Sequence, residues 1–376
     1  MIYLDNSATT NPKPQAVKNA VSKAMNYYSF NSGRGGYKES VNTSNMIFTV
    51  REKIADMFSF LPQNIAFVPN CTFALNYAIK GIAKPGDHFI ISNLEHNAVV
   101  RPIYSLYEKG IISYDAAKFS YDKEETLNNF KSLIKANTKA IVCMHASNVF
   151  GCVFPIKEIG KLAHDNGIIF IVDAAQSAGV LDIDADRDNI DILCTPGHKG
   201  LYAPMGSGFI AVGDGITLDT IIEGGTGSMS MILSQPKDLP DRLESGTLNN
   251  VAICGLAAGI DFVNSKKIDN IYNHEKSLMN MVYKEMSKNE NVTLYTPDFK
   301  DAFSAPILSF NFKDYPSEKT ASLLAQKNIA TRAGFHCSKL AHEAFNTNER
   351  GTVRISPSVF TNFSECEIFI NTLKKL

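Results

Sequence analysis

The sequence feature that most constrains the fold is a series of short apolar segments that alternate with segments of helical periodicity between residues 64 and 212. The apolar segments are IAFV (65–68), HFIIS (88–92), KAIVCMH (139–145), IIFIVD (168–173), DILCT (191–195) and GFIAV (208–212). Several are apolar at successive positions, as strands are when helices cover both faces of a mostly parallel sheet. The alternation therefore predicts an α/β fold.

Helical periodicity between the apolar segments predicts four helices. They are FALNYAIKGIA (73–83), NAVVRPIYSLYEKG (97–110), EETLNNFKSLIKA (124–136) and IKEIGKLAHDNG (156–167). A further apolar helix, VAICGLAAGIDFVN (251–264), precedes segments rich in Lys and Asn with a weaker α+β pattern. We therefore predict a large domain of residues 13–260 and a smaller α+β domain formed by residues 1–12 and 261–376.

Composition excludes several classes of protein. The 37 Lys and Arg residues against 38 Asp and Glu give a net charge of −1, which offers no field to attract nucleic acid or an anionic membrane. Apolar runs stop after about five residues, whereas a membrane-spanning helix needs ~20, and the N-terminus resembles no secretory signal. Seven cysteines without a C-x-x-C spacing argue against a disulfide framework or a metal site. We expect a cytoplasmic protein.

Two polar residues, Asp173 and Lys199, follow predicted strands. Asp173 ends an apolar strand, where a carboxylate is costly unless it is paired, and Lys199 lies in PGHKG after the strand DILCT. The carboxyl ends of strands in an open α/β sheet face the ligand crevice. A carbonyl cofactor with a ring nitrogen would suit both, because the amine can form a Schiff base and the carboxylate can hold the ring nitrogen protonated. Taken alone, Lys199 could be a surface lysine and Asp173 a helix N-cap.

The segments around these residues, IVDAAQSAG (171–179) and PGHKGLYAPMGSG (196–208), resemble the pyridoxal-phosphate enzymes of fold type I. The resemblance is to class V aminotransferases and cysteine desulfurases in particular. Further matching segments occur in the family's order: YLDNSATT, NCTFALN, LEHNAVVRP, MHASNVFG, ESGTLNN, TRAGFHCSKLAH and GTVRISPSVF. The resemblance implies a fold type I transferase, with a mostly parallel seven-stranded sheet between helices in the large domain.

The resemblance also implies roles around the cofactor, pyridoxal 5′-phosphate. Lys199 is then the lysine that binds the cofactor, and Asp173 is the partner of the pyridine nitrogen. Gln176 would donate a hydrogen bond to the ring oxygen, and His96 would stack on the ring, although a helix N-terminal histidine without a ligand is the alternative. Asn148 of MHASNVFG would contact the ring oxygen and the substrate.

A phosphate favours a helix N-terminus, and Thr72 opens a predicted helix directly after the strand IAFV. The resemblance agrees and adds His198 as a second phosphate contact, with Cys71 at the border of the phosphate site. It also implies that Thr247 of ESGTLNN reaches the phosphate of a neighbouring subunit, and hence a homodimer.

Three positions depart from the pattern of the desulfurases: Cys71 stands where a small or hydroxylated residue is usual, Tyr37 replaces a frequent histidine near the substrate entrance, and Pro196 replaces a serine. Desulfurases commonly carry a phosphate-binding serine shortly before the lysine, where this chain has Pro196, three residues before Lys199. Proline has neither a hydroxyl nor an N–H group, so this contact is lost. Thr195 or Ser177 could replace it.

Cys337 in RAGFHCSKLAH matches the family's segment that holds a sulfur-accepting cysteine. A thiolate attacks sulfur only where it is accessible and ionised, so we expect a flexible, electropositive loop. His336, Lys339 and Arg332 would supply the charge. The local sequence alone is also compatible with a buried, inert thiol, which is the reading for the other six cysteines.

Arg354 in GTVRISPS has no acidic neighbour within several residues, so we expect its guanidinium to be unpaired and available for a carboxylate. The resemblance implies that Arg354 holds the substrate α-carboxylate. Arg332 and Asn148 are predicted to contribute to the same substrate site.

These features predict a cysteine desulfurase that converts L-cysteine to L-alanine and leaves a persulfide on Cys337 for a sulfur-acceptor protein. Lys199, Cys337 and His96 are the predicted catalytic residues. The alternatives are a selenocysteine lyase, a class V aminotransferase or C–S lyase without persulfide chemistry, and a scaffold protein that has lost turnover. A nucleotide-binding enzyme is disfavoured, because the glycine-rich segments do not open a helix after the first strand.

Overall fold

The computed structural model describes residues 1–33, 35–299 and 304–376, and its centre is a seven-stranded sheet. After a short first strand, β1 (Ile2–Tyr3), the strands of this sheet are β2 (Ile65–Val68), β3 (Asp87–Ser92), β4 (Ile112–Ala117), β5 (Thr138–Met144), β6 (Ile169–Asp173), β7 (Ile192–Pro196) and β8 (Gly208–Val212). Their order across the sheet is β2-β8-β7-β6-β5-β3-β4, and β8 is antiparallel to both its neighbours. The predicted seven-stranded, mostly parallel sheet is confirmed.

Strand β4 is the strand of this sheet that the apolar segments do not reveal. It lies at the edge of the sheet, and only its two end residues, Ile112 and Ala117, are buried. Strands β2, β7 and β8 are buried along their whole length. An edge strand that is partly in contact with water lacks the continuous apolar run by which a central strand is recognised.

Helices cover both faces of the sheet. The described residues form the helices α1 (Gln15–Tyr27), α2 (Lys38–Phe58), α3 (Cys71–Ile82), α4 (Asn97–Glu108), α5 (Lys123–Lys131), α6 (Ile156–Asp165), α7 (Ala185–Asp188), α8 (Asn250–Lys266), α9 (Ile268–Met286), α10 (Ser317–Ala325), α11 (Lys339–Ala344) and α12 (Phe363–Lys374). Of these, α9, α10 and α12 pack in a separate apolar core. Alternate residues of a central strand join opposite cores: Ile90 packs on one face, and Phe89 and Ile91 pack on the other. Within the described ranges, no helix combines the length and apolar character needed to cross a membrane.

A second, antiparallel sheet has its own apolar core. Its strands are β9 (Val292–Leu294), β10 (Leu308–Phe312), β12 (Arg332–Gly334) and β13 (Thr352–Ile355), in the order β12-β13-β10-β9. Strand β1 pairs in parallel with β11 (Ile329–Ala330), so the N-terminal residues lie beside this part of the chain. Residue 260 lies inside α8, and the domain division predicted there stays a prediction.

The loop that follows β7 is packed closely on two sides by backbone. On one side a Cβ atom at Gly179 would lie 2.4 Å from the Gly200 carbonyl oxygen, and on the other a Cβ at Gly259 of α8 would lie 2.0 Å from the Leu201 oxygen. Side chains at these glycines would therefore displace the loop. Gly179 of the IVDAAQSAG segment and Gly200 of the PGHKG segment form the first of these contacts, which fixes the backbone around Lys199.

Candidate active site

A cavity of about 240 Å³ lies at the carboxyl ends of β5, β6 and β7. The second sheet closes it from the opposite side with Arg354 of β13 and the turn after β12. All the predicted site residues except Thr247 line this cavity: Cys71, Thr72, His96, Asn148, Asp173, Gln176, His198, Lys199, Arg332, Cys337 and Arg354. The fold thus brings together residues from several distant segments of the chain.

Asp173 is the last residue of β6 and is buried. It accepts hydrogen bonds from the Ala175 N–H at 2.9 Å and, at 3.5 Å, from the thiol of Cys71. Neither donor is charged, and burial raises the pKa of the Asp173 carboxyl. Burial likewise lowers the pKa of Lys199. Each group therefore holds its charge less readily than it does in water.

His96 is both the N-cap of α4 and a cavity residue. Its Nδ1 accepts a hydrogen bond from the Ala98 N–H at 3.0 Å. Burial lowers the pKa of His96 to about 4, so the imidazole is neutral near pH 7 and carries its proton on Nε2. His96 therefore caps the helix, as one interpretation of the sequence predicts, and it also lines the cavity, as the other requires.

The N-terminus of α3 faces the cavity. Asn70 caps the helix by accepting a hydrogen bond from the Phe73 N–H at 3.2 Å, and Cys71 and Thr72 in the first turn line the cavity. On the opposite side, the Nδ1 atom of His198 is buried without a hydrogen-bond partner among the described residues. The free N–H groups of the helix and this imidazole form a site suited to an anion.

Pro196 lines the cavity, as its position before Lys199 suggests. The two residues that could replace the missing serine, Thr195 and Ser177, are fully buried, and neither lines the cavity. Their hydroxyl oxygens have no hydrogen-bond partner among the described residues.

Arg354 is buried and paired, so the expectation of an unpaired guanidinium is wrong. Its Nη2 lies 2.8 Å from Oδ1 of Asp5, and its Nη1 donates to the Asn148 carbonyl oxygen at 2.7 Å. Asp5 comes from the YLDNSATT segment, which the pairing of β1 with β11 brings to this sheet. The Nε of Arg354 has no partner in the described part of the chain, so N–H capacity remains for a ligand. The sequence near Arg354 does not indicate this partner, because Asp5 lies 349 residues earlier in the chain.

Cys337 is exposed, whereas the other six cysteines are buried. Its neighbour His336 is buried and donates from Nε2 to the Thr352 carbonyl oxygen at 3.0 Å. Burial holds the pKa of His336 well below its usual value, so this residue carries no charge, contrary to the expectation. Lys339 forms an ion pair with Glu343. Of the three residues expected to supply positive charge, Arg332 is left, and it lines the cavity with Cys337.

Asn148 is buried beside the turn that carries Cys337. Its Nδ2 donates to the His336 carbonyl oxygen at 2.8 Å, and its Oδ1 accepts from the Ser338 hydroxyl at 2.7 Å. Gln176 also uses its amide within the protein, because its Nε2 donates to the Ser7 carbonyl oxygen at 3.1 Å. The substrate and ring-oxygen contacts expected of these two residues stay predictions.

Thr247 lies outside the Lys199 cavity, on an exposed segment that lines a separate surface cleft with Gly225 and Gly227. The segment is anchored by Glu244, whose carboxylate makes a buried bidentate pair with Arg51 at 3.0 and 2.7 Å. The contact of Thr247 with a second subunit stays a prediction.

Glu275 of α9 provides a pH-dependent test of this region. It is buried and lines a water-sized cavity of about 30 Å³ on the far side of Lys199. Burial raises the pKa of Glu275 to about 8, from an ordinary value of 4.5. Between these pH values the unfolded chain has lost the proton and the folded chain keeps it, so the stability of the fold falls as pH rises.

Glu275→Gln does not titrate, so its free energy of unfolding relative to wild type is expected to increase from about pH 5 to about pH 8, by at most about 4 kcal/mol. Urea unfolding of both proteins at the two pH values measures the effect. If the two proteins differ in free energy of unfolding by the same amount at both pH values, the raised pKa of Glu275 is contradicted.

Comparisons with known proteins agree with this arrangement. Residues 2–369 match the family model described as aminotransferase class-V. A probable cysteine desulfurase of Pyrococcus abyssi is 30% identical over 384 residues, covering 100% of this chain and 94% of the relative. A probable cysteine desulfurase of Methanothermobacter thermautotrophicus is 29% identical over 385 residues, with the same coverage.

The solved structures include an apo cysteine desulfurase from Thermococcus onnurineus. It superimposes with a TM-score of 0.89 at 28% identity, covering 100% of this chain and 94% of that chain. The order of the strands, the cavity at their carboxyl ends and the match over residues 2–369 lead to one conclusion. The chain belongs to the class-V aminotransferase family.

Proposed function

We propose that this protein is a pyridoxal-phosphate-dependent cysteine desulfurase. It takes sulfur from L-cysteine, releases L-alanine and holds the sulfur as a persulfide on Cys337. The observation that carries the proposal is that the one exposed thiol among the described residues lines the same cavity as Lys199, Asp173 and Arg354. The relatives named cysteine desulfurase support this activity over a transamination.

The residues of the cavity fit pyridoxal phosphate. Asp173 is a buried carboxylate whose hydrogen-bond donors are uncharged, so a protonated ring nitrogen would supply the partner it lacks. The unpartnered Nδ1 of His198 and the first turn of α3 at Thr72 are suited to the phosphate. When bound, the cofactor supplies a carbonyl group for the amine of the substrate and a ring that accepts electrons.

Arg354 binds the α-carboxylate of the substrate in this proposal. Asp5 and the Asn148 carbonyl oxygen each hold one nitrogen of its fork, so the guanidinium is already oriented before substrate arrives. Orientation in advance lowers the entropy lost on binding. The positive charge of Arg332 at the same cavity adds to the attraction for an anionic substrate.

Lys199 moves the α-proton of the substrate. Burial lowers the pKa of its Nζ, which increases the fraction of neutral amine that can accept a proton near neutral pH. His96 stays neutral beside it, because its own pKa is about 4. The imidazole can therefore pack against a ring without adding a further positive charge to the pocket.

Cys337 receives the sulfur. Its thiolate attacks the substrate sulfur, so an S–S bond forms as the C–S bond of the substrate breaks. The electron pair of the C–S bond stays with the substrate Cβ, which takes up a proton and becomes the methyl group of alanine. Two sulfur atoms are oxidised as one carbon is reduced, and the outer sulfur then passes to an acceptor thiol.

Arg354→Lys tests the carboxylate site. Lysine keeps the charge but has one nitrogen in place of the planar fork, so it cannot hold Asp5 and the Asn148 oxygen on two separate nitrogens while it offers a fixed N–H to a substrate carboxylate. We expect the KM for L-cysteine to rise about 10- to 100-fold, which corresponds to one or two charged hydrogen bonds. Steady-state kinetics measure it, with Arg332→Lys as the matched control. A larger effect of the control would assign the carboxylate to Arg332.

The proposal includes a homodimer in which Thr247 approaches the cofactor phosphate of the second subunit. The exposure of Thr247, together with its anchoring through the pair between Glu244 and Arg51, supports a contact that faces outward. Sedimentation velocity of the cofactor-loaded protein tests it. A monomer at micromolar concentration would overturn the dimer and leave the chemistry of the cavity unaffected.

Product analysis tests the activity itself. The cofactor-loaded protein is incubated with L-cysteine and a dithiol, and alanine, sulfide and keto acid are measured. Alanine and sulfide in equal amounts support a desulfurase. Keto acid with sulfide would indicate a C–S lyase, and keto acid without sulfide an aminotransferase. Turnover of selenocysteine without turnover of cysteine would indicate a selenocysteine lyase.

A further inference from the structure

We propose that Asn148 is a positioning residue that holds the turn of residues 335–338 and thereby fixes the place of the Cys337 thiol. The inference rests on the proposed desulfurase function. The sequence patterns predict that Asn148 contacts the ring oxygen and the substrate. Neither they nor the comparisons assign it a role at the attacking thiol.

The turn has a backbone conformation that needs external support. His336 and Cys337 are consecutive residues with φ angles of 48° and 57°, in the left-handed region that side chains other than glycine disfavour. Strain of this kind persists where the surrounding structure imposes it, and it is concentrated at functional sites. An untethered turn would relax and move the thiol.

Asn148 supplies two tethers, one on each side of Cys337. Its Nδ2 donates to the His336 carbonyl oxygen at 2.8 Å, and its Oδ1 accepts from the Ser338 hydroxyl at 2.7 Å. A third tether comes from α4, whose Asn97 N–H donates to the Cys337 carbonyl oxygen at 2.7 Å. Phe335 and Cys337 remain exposed in the turn, whereas His336 and Ser338 are buried.

The same residue also contacts the proposed carboxylate site. The backbone carbonyl oxygen of Asn148 accepts the 2.7 Å hydrogen bond from Arg354 Nη1. One buried residue therefore joins the arginine that holds the substrate to the turn that holds the thiol. This sets the distance from the bound carboxylate to the attacking sulfur, on which the rate of attack depends steeply.

The test compares Asn148→Ala with Asn311→Ala. Asn311 is a matched control, because it is also buried and its Nδ2 donates to a carbonyl oxygen, that of Gly351, at 3.0 Å, outside the turn. Ser338→Ala is the milder second variant, since it removes one tether and leaves Asn148 in place. Each cofactor-loaded protein is examined by hydrogen exchange of the peptide that contains the turn and by single-turnover persulfide formation.

For Asn148→Ala we expect amide exchange in the turn to be about 5- to 10-fold faster, as for the loss of one or two hydrogen bonds. We expect persulfide formation to be about 10- to 100-fold slower, with the KM for L-cysteine within about twofold of wild type. Ser338→Ala should fall between Asn148→Ala and wild type in both measurements. Asn311→Ala should leave both unchanged.

Unchanged exchange in the turn of Asn148→Ala would overturn the proposal. So would a raised KM with an unchanged rate of persulfide formation, because that pattern belongs to a residue that binds substrate. If wild type forms no persulfide from L-cysteine, the proposed function fails, while the exchange measurement still decides whether Asn148 holds the turn.

Discussion

Replacing Lys199 by alanine is expected to lower the turnover of L-cysteine by at least about 10³-fold, since both proton transfer and attachment of the cofactor depend on its amine. The variant should also lose the visible absorption that a lysine-bound pyridoxal group gives, which is a readout independent of turnover. The methyl group of alanine fits where the lysine stem began, and the backbone of the loop is held by its neighbours. The variant should therefore fold.

Lys13→Ala is the matched control for this experiment. Burial also lowers the pKa of Lys13, to about 8, but its Nζ donates to the His198 carbonyl oxygen and to Thr10 Oγ1, both at 2.8 Å. An amine occupied in this way does not bind the cofactor, so the visible absorption should survive its removal. If Lys13→Ala loses the absorption and Lys199→Ala keeps it, the assignment of the cofactor lysine is wrong.

Cys337→Ala is expected to abolish the protein-bound persulfide and to lower sulfur delivery to a thiol by more than about 100-fold. In the part of the chain that the structure describes, no other cysteine is exposed. Burial raises the pKa of Cys152 and Cys366 to about 12 and places those of Cys71, Cys143 and Cys194 well above the ordinary value. None of these thiols can substitute as a nucleophile near neutral pH.

Mass spectrometry of the protein after one turnover measures this effect as the gain of one sulfur atom on the peptide that contains Cys337. Cys254→Ala is the control, because Cys254 is buried on α8 and its pKa is raised to about 11. It should acquire the sulfur as wild type does. Alanine formation at the wild-type rate by Cys337→Ala, with an acceptor thiol present, would show that the carbon–sulfur bond breaks without this cysteine.

Local sequence pattern is sufficient to predict the buried strands of the large sheet and the residues at its carboxyl edge. The buried strands of the large sheet produce continuous apolar runs. Asp173 ends one of these strands and Lys199 lies in the loop after another, so their meeting in one cavity is a consequence of parallel strands. Strand β4 is not found in this way, because its burial is confined to its two ends.

Long-range contacts set the limit of prediction from the sequence. Asp5 pairs with Arg354 across almost the whole chain, and no local spacing indicates it. His336 lacks the expected charge because its burial lowers the pKa of the imidazole. The sequence of one loop does not reveal this burial. The hydrogen bonds from Asn148 to the Cys337 turn join segments that only the tertiary fold brings together.

The glycine contacts around the Lys199 loop determine which atoms can travel during a reaction cycle. Gly179 on one side and Gly259 on the other bring backbone into contact with the loop, so the loop cannot move toward either glycine. The reach of the amine therefore comes from rotation about the bonds of its own methylene chain, which is a rapid local motion that needs no opening of the protein. The Nζ of Lys199 can therefore move between neighbouring groups by side-chain rotation, without a movement of the backbone that carries it.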